Sequence, residues 1–154
     1  MTELFSFEDL PDTLQVSVVS FGFKHGLPLD VDTVFDVRFI PNPHYDEVLR
    51  PMSGLDEPVR RFVLEQPATR DFLDRVEELF DSLIPAYRSE GKSYLTIAVG
   101  CTGGRHRSVA IAEALSLRLA NRGVQARVAY HPIISSLNFT KGASGRGFVN
   151  MSAI

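Results

Sequence analysis

Apolar and polar residues along the chain form two kinds of pattern. Four short stretches are rich in Val, Ile, Phe and Ala, and they predict β-strands at residues 14–23, 33–40, 93–100 and 125–133. Between them, apolar residues recur every three or four positions, which is the period of an amphipathic helix. This alternation predicts a single α/β domain with a mainly parallel, twisted sheet of about four strands flanked by helices.

Two helices are expected between the second and third strands. Asp56 can cap a short helix over residues 59–66, with Pro58 just inside it. A longer helix is expected over about 68–89, and Pro85 should end or kink it. Its apolar stripe consists of Phe72, Val76, Leu79, Phe80 and Leu83.

A third helix should begin near Arg107 and stop at residues 121–123, with Ile111, Leu115 and Leu119 on one face. The predicted strands and helices together cover residues 14–133, which we assign to one domain. Residues 1–13 form an N-terminal extension. Residues 134–154 show no clear period and are expected to be a disordered tail or an addition to a sheet edge.

Composition excludes several classes of protein. The hydrophobic fraction of 44% and the charged fraction of 23% are ordinary for a soluble protein. One cysteine rules out an internal disulfide and suits a reducing compartment. No apolar run approaches the ~20 residues that span a bilayer, and the N-terminus lacks the features of a signal peptide. We expect a cytoplasmic protein with no membrane contact, no metal site and no cofactor.

Charge is distributed unevenly along the chain. The net charge is −3, and 18 of the 19 acidic residues lie in residues 1–101. Residues 102–127 instead carry five arginines against Glu113 alone. A local cationic region on an acidic protein suits a small anion better than a long nucleic acid, which requires a broad basic surface.

The cationic region includes a glycine-rich turn. Residues 101–108, Cys-Thr-Gly-Gly-Arg-His-Arg-Ser, join the third predicted strand to the third helix, and we call them the glycine loop. Such a turn lies at the carboxyl edge of a parallel sheet, where open α/β folds bind ligands. Gly103 and Gly104 let backbone amides approach a ligand, Arg107 can form a bidentate fork on phosphate, and Ser108 adds a hydroxyl. The loop is therefore a candidate phosphate site.

Two alternatives for the glycine loop remain open. It could be a tight strand–helix turn that binds nothing. Its C-x-x-G-x-x-R-S spacing is also similar to the phosphate loop of cysteine-dependent phosphatases, in which Cys101 would attack phosphorus and Arg107 would hold the equatorial oxygens. Gly100 stands where those enzymes usually have His, and no obvious loop supplies an acid. Neither common nucleotide-binding glycine motif is present, so ATP hydrolysis by this chain alone is not expected.

A second cluster follows the second predicted strand. Asp36 and Arg38 share one strand face, and the rigid sequence Pro-Asn-Pro-His projects His44 from the strand's end. These side chains would face the glycine loop if the strands are parallel, and they suit the hydroxyl and amino groups of a sugar. The alternatives are a structural ion pair and a surface histidine. Lys24 and His25, after the first strand, are weaker candidates of the same kind.

Residues 20–59 and 93–115 together resemble the C-terminal domain of the RapZ/YvcJ family of RNase adaptor and nucleotide-binding proteins. The resemblance implies a domain that binds glucosamine 6-phosphate, self-associates and, in enterobacteria, contacts small RNA. It also implies a separate nucleotide-binding domain or protein as a partner. His44, Cys101, Thr102, Gly103 and Arg107 fall on the family's ligand motifs.

The complete set of predicted site residues has two parts. The expected ligand-binding residues are Asp36, Arg38, His44, Cys101, Thr102, Gly103, Gly104, His106, Arg107 and Ser108. For the alternative of an RNA-binding adaptor, the expected contacts are Arg105, Arg118, Arg122 and Arg127.

Overall fold

The computed structural model describes residues 14–131, so the expectations for the extension and the tail lie outside the described residues. Four strands, β1 (Gln15–Gly22), β2 (Thr33–Asp36), β3 (Tyr94–Cys101) and β4 (Gln125–His131), form one sheet. All pairings are parallel, in the order β2-β3-β1-β4. The predicted α/β class and the four-stranded parallel sheet are confirmed.

Three helices connect the strands: α1 (Glu57–Leu64), α2 (Pro67–Glu90) and α3 (Arg107–Asn121). Pro58 and Pro67 lie in first turns, where a missing N–H leaves no helical bond unmade. Asp56 occupies the cap position of α1 as expected, but its carboxylate accepts from Ser53 N at 2.9 Å rather than from the helix. The preceding loop is thereby tied to the start of α1.

The second predicted strand is too long, because β2 ends at Asp36 instead of residue 40. The Asp36 carboxylate accepts from Arg38 N at 2.9 Å, which turns the backbone immediately after the strand. Val37 N still donates to Gly100 O at 2.9 Å, and Ile40 N donates to Val37 O at 3.3 Å. Asp36 and Arg38 therefore do not share a strand face, and a turn joins them instead.

The helix expected over about 68–89 is confirmed, and of the two effects expected of Pro85, an end to the helix is wrong. Helix α2 continues to Glu90 and closes on Gly91, which adopts the left-handed conformation with φ of 91°. Ile84 is buried and Tyr87 packs against the core on either side of the proline, so tertiary contacts hold the last turns despite the missing donor. Leu79, expected in the apolar stripe, is 45% exposed.

The core lies between one face of the sheet and the helices. Val18 of β1 pairs in register with Ile97 of β3 and Val128 of β4, and all three belong to the buried cluster. The register also aligns Gly22 with Cys101 at the carboxyl edge, one residue from the pair formed by Asp36 and Gly100. The ends of β1, β2 and β3 therefore meet where the glycine loop begins.

Candidate functional site

The glycine loop is seated directly on the end of β1, backbone against backbone. A Cβ atom on Gly22 would lie 2.6 Å from Gly103 O and 2.7 Å from Gly104 N. One on Gly104 would lie 2.5 Å from Gly22 N, and Gly104 has a φ of 75° that favours glycine. Lys24 N donates to Thr102 O at 3.2 Å on the same side. The position of the loop depends on the absence of side chains at this contact.

Six consecutive backbone amides of the glycine loop, those of residues 102–107, have no acceptor among the residues that the structure describes. From Thr102 to Arg107, no N–H donates a hydrogen bond to any residue in the range 14–131. Gly104, His106 and Arg107 are nevertheless buried. Buried N–H groups are nearly always paired in folded proteins, so these groups are open to an acceptor that the described residues do not supply.

Cys101 lies beneath the first turn of α3. Its thiol donates to Ser108 Oγ at 3.2 Å, and Ser108 N donates to Cys101 Sγ at 3.4 Å. The cysteine is only 2% exposed and belongs to the buried cluster. The sulfur therefore takes the acceptor role that a cap side chain usually fills at a helix N-terminus.

Arg107 donates to backbone carbonyls through one nitrogen of its guanidinium and leaves the opposite edge of that group largely without acceptors among the described residues. It is 4% exposed, and Nη1 donates to Arg38 O at 3.0 Å and to Ile40 O at 2.8 Å. Nη2 makes a longer contact of 3.4 Å with Thr102 Oγ1, and Nε has no partner among the residues that the structure describes. The Nε–Nη2 edge is the side of a guanidinium that forms side-on bidentate pairs with oxyanions. The sequence predicted that the guanidinium of Arg107 would form a bidentate fork on phosphate, but its Nη1 atom donates to backbone carbonyls instead.

The two residues before Arg107 also hold backbone carbonyls. Arg105 Nε donates to Met52 O at 3.0 Å, and its Nη2 donates to Pro51 O at 2.7 Å. His106 Nε2 lies 3.1 Å from Arg50 O. Burial, the largest effect, lowers the pKa of His106, so the neutral ring with its proton on Nε2 suits this contact. Arg105 was predicted for RNA and His106 for ligand, whereas both fasten the segment after β2.

Asp36 and Arg38 form the ion pair that was the structural alternative for them. Arg38 Nη2 lies 2.7 Å from Asp36 Oδ2, and the Arg38 guanidinium lies 3.9 Å from the centre of the Phe23 ring. The hydrogen bond from Arg38 is the main cause of the lowered pKa of Asp36, and the charge of Arg107 contributes to it. Both side chains stay about half exposed at the edge of the sheet, near Arg107.

The remaining candidates at this edge are exposed. His44 lies in a 3₁₀ turn, Pro43–Tyr45, where its N–H donates to Asn42 Oδ1 at 3.0 Å. Its charge is the smallest of the influences that lower the pKa of His106. Lys24 and His25 lie in the 3₁₀ turn after β1 and are exposed.

Two arginines predicted for RNA are neutralised by α2. Arg118 pairs with Asp74 at 2.7 Å and with Glu77 at 3.0 Å, and Arg122 pairs with Glu77 and with Asp81. Arg127 makes only a 3.4 Å contact with Ser17 Oγ among the described side chains. The basic helix α3 is therefore balanced by acidic α2, a pairing over about 41–45 residues that the local charge count did not indicate.

Two structural absences bear on the class of site. Within residues 14–131, no group of three or more His, Cys, Asp or Glu side chains could hold a metal ion. No helix in the same range is long and apolar enough to cross a membrane.

An open parallel sheet with a glycine loop at its carboxyl edge is the architecture in which many α/β domains bind a ligand. Residues 14–133 match the model of the RapZ C-terminal domain, and the chain belongs to that family. The resemblance seen in the sequence is thus confirmed.

Several curated relatives are similar to this chain, and the three described here are named nucleotide-binding proteins. That of Rubrobacter xylanophilus is 63% identical over 112 residues, which are 73% of this chain and 37% of the relative. That of Trichlorobacter lovleyi is 60% identical over 118 residues, 77% of this chain and 41% of the relative. That of Streptomyces coelicolor is 53% identical over 122 residues, which are 79% of this chain and 41% of the relative. The chain spans about two fifths of the length of these relatives.

Proposed function

We propose that this domain binds a phosphorylated small molecule, with the phosphate on the glycine loop and an amino-sugar phosphate such as glucosamine 6-phosphate as the first candidate. The observation that carries the proposal is the run of N–H groups from Thr102 to Arg107 that have no acceptor within residues 14–131. A phosphate oxyanion accepts several such bonds at once, and the positive end of the dipole of α3 favours its charge.

The Nε–Nη2 edge of Arg107 supports the same ligand. Nη1 is already occupied by two carbonyls, which fixes the orientation of the guanidinium, whereas Nε has no described acceptor. A preoriented fork loses little side-chain entropy when it pairs with phosphate. The organic part of the ligand would extend toward Asp36, Arg38 and His44, whose charged and polar groups suit hydroxyls and an amine. A nucleotide phosphate has the same chemistry, in keeping with the names of the relatives.

The direct test is a ligand titration monitored through the NMR chemical shifts of the backbone amides. We expect glucosamine 6-phosphate to shift the backbone N–H resonances of residues 102–107 more than those of α2, and unphosphorylated glucosamine to leave them in place. Arg107→Lys keeps the charge but removes the fork, so its affinity should fall by about tenfold or more. Arg75→Lys, on exposed α2, is the matched control. Shifts confined to other regions, or full affinity in Arg107→Lys, would refute this placement of the phosphate.

A cysteine-dependent phosphohydrolase is the second candidate. It is favoured by the place of Cys101 at the start of the glycine loop, next to Ser108 at the first turn of α3. In that reaction the sulfur, as a thiolate, attacks phosphorus while the ester P–O bond breaks, the leaving oxygen takes a proton from water, and a second water then breaks the P–S bond to release phosphate. A wild-type protein that releases no phosphate, together with a Cys101→Ser variant of unchanged affinity, would exclude this activity.

An RNA-binding role is the third reading, and the ion pairs of Arg118 and Arg122 weaken it. Gel-shift measurements over a salt series would test it. Binding that appears only at low salt and ignores RNA sequence would mark the contact as nonspecific.

A further inference from the structure

We propose that Arg105 is a positioning residue that sets the preference of this site for an organic phosphate over inorganic phosphate. The inference rests on the proposed function. The side chain of Arg105 is not a ligand of the anion in this proposal, because its Nε and Nη2 atoms donate to backbone carbonyls. Its guanidinium instead holds the segment of residues 37–54, which passes beside the glycine loop and carries the polar side chains that an organic group would meet.

The 37–54 segment is fastened to the glycine loop at both ends. At the first end, Arg107 holds the carbonyls of Arg38 and Ile40. At the second end, Arg105 holds the carbonyls of Pro51 and Met52. Because the two arginines are two positions apart in one loop, both ends of the segment are held from the same short stretch of backbone.

The second end has further attachments that aim the Arg105 backbone as well. Gly54 N donates to Arg105 O at 2.9 Å, and His106 Nε2 contacts Arg50 O at 3.1 Å. A Cβ atom on Gly54 would lie 2.6 Å from Ala110 N, so this part of the segment packs closely against the start of α3. Arg105 thus bonds to the segment through both its side chain and its carbonyl.

Between its two ends the segment is stiffened by its own side chains. Asn42 Oδ1 accepts from His44 N, and Asp46 Oδ1 accepts from Val48 N at 2.8 Å. Arg50 Nε donates to His44 O at 2.7 Å, which ties the middle of the segment to its second end. A shift at the Arg105 end would therefore be transmitted to His44 rather than absorbed.

These contacts separate two parts of ligand recognition. Inorganic phosphate requires only the loop amides and the free edge of Arg107. An ester must also fit beside His44, whose position depends on the Arg105 end. Loss of Arg105 should therefore weaken binding of the ester and spare binding of the inorganic ion. A residue that contacted the anion itself would affect both ligands equally.

The test compares the dissociation constants of inorganic phosphate and glucosamine 6-phosphate by calorimetry. In Arg105→Gln, the preference for the ester should fall by about tenfold, while the constant for inorganic phosphate stays within about twofold of wild type. Arg105→Lys, which retains a donor for one carbonyl, should recover part of the preference. Arg75→Gln, on the exposed surface of α2, should leave both constants unchanged.

Two results would overturn the inference. An equal loss of affinity for both ligands would mean that the Arg105 side chain contacts the anion. Two unchanged dissociation constants would mean that the segment is held without that side chain. A wild-type protein that binds neither ligand would instead refute the proposed function. Should Arg105→Gln fail to fold, hydrogen exchange of the wild type decides the question. Ester binding should slow exchange in residues 37–54 more than inorganic phosphate does, and equal protection by both would contradict the proposal.

Discussion

The contact between Gly22 and the glycine loop offers the most direct test of how the loop is held. In Gly22→Ala, the new methyl group would lie 2.6 Å from Gly103 O and 2.7 Å from Gly104 N. Carbon atoms prefer about 3.5–4.0 Å, so the loop must retreat by roughly 1 Å. The backbone of Gly22, with φ of −110° and ψ of 129°, is ordinary for alanine, so the effect is steric alone.

Overpacking of this kind costs about 1–3 kcal/mol. Since urea slopes for small domains are about 1–3 kcal/mol per molar, the unfolding midpoint should fall by about 1 M. A displacement of roughly 1 Å exceeds the tolerance of a preorganised site, so phosphate affinity should also fall by about tenfold or more.

Gly103→Ala is the matched control for this substitution. Its Cβ atom would meet nothing within 4 Å, and the position lacks a positive φ. Urea unfolding should therefore separate the two variants clearly, whereas the phosphate affinity of Gly22→Ala is compared with that of wild type, because Gly103 itself lies in the proposed phosphate site. If Gly22→Ala unfolds at the same urea concentration as Gly103→Ala, the loop is not seated on β1 as described.

Two further predictions concern pH. Burial lowers the pKa of His106 below 6.5 in the folded state, so the unfolded chain binds more protons and stability should decrease as pH falls below 6.5. The urea midpoint should therefore change less between pH 7 and 5 in His106→Gln than in wild type. The same pH dependence in both proteins would contradict a lowered pKa for His106. The hydrogen bond from Arg122, followed by that from Arg118, lowers the pKa of Glu77 below 4.5, so the stability it contributes is complete above pH 4.5 and decreases in more acidic solution. Glu77→Gln should therefore flatten the acid limb of a thermal-melting profile, and an unaltered limb would show that the α2–α3 ion pairs do not stabilise the fold.

Sequence periodicity predicted the elements that are defined by local patterns. The apolar run before Cys101 and the spacing of Ile111, Leu115 and Leu119 predicted β3 and α3, and all three helix residues are buried. These predictions succeeded because each residue's burial follows from its position in one element.

The parts that could not be predicted depend on partners distant in the sequence. Arg105 and Arg107 were interpreted through their charge, but they hold carbonyls of Pro51, Met52, Arg38 and Ile40. A carbonyl acceptor has no signature in a sequence, because every residue carries one. The early end of β2 likewise results from the side chain of Asp36 turning onto Arg38 N, which competes with continued pairing.

The attachment of residues 37–54 through carbonyl oxygens has a consequence for how this domain can diversify. Where Arg105, His106 and Arg107 grip main chain, the identity of the side chain at the gripped position does not enter the bond. Under the proposed function, substitutions at exposed positions such as His44 or Tyr45 would alter which molecule is recognised while the backbone that carries them keeps its shape. In this segment the backbone carbonyls would then fix the position of the chain, and the exposed side chains would determine which ligand it contacts.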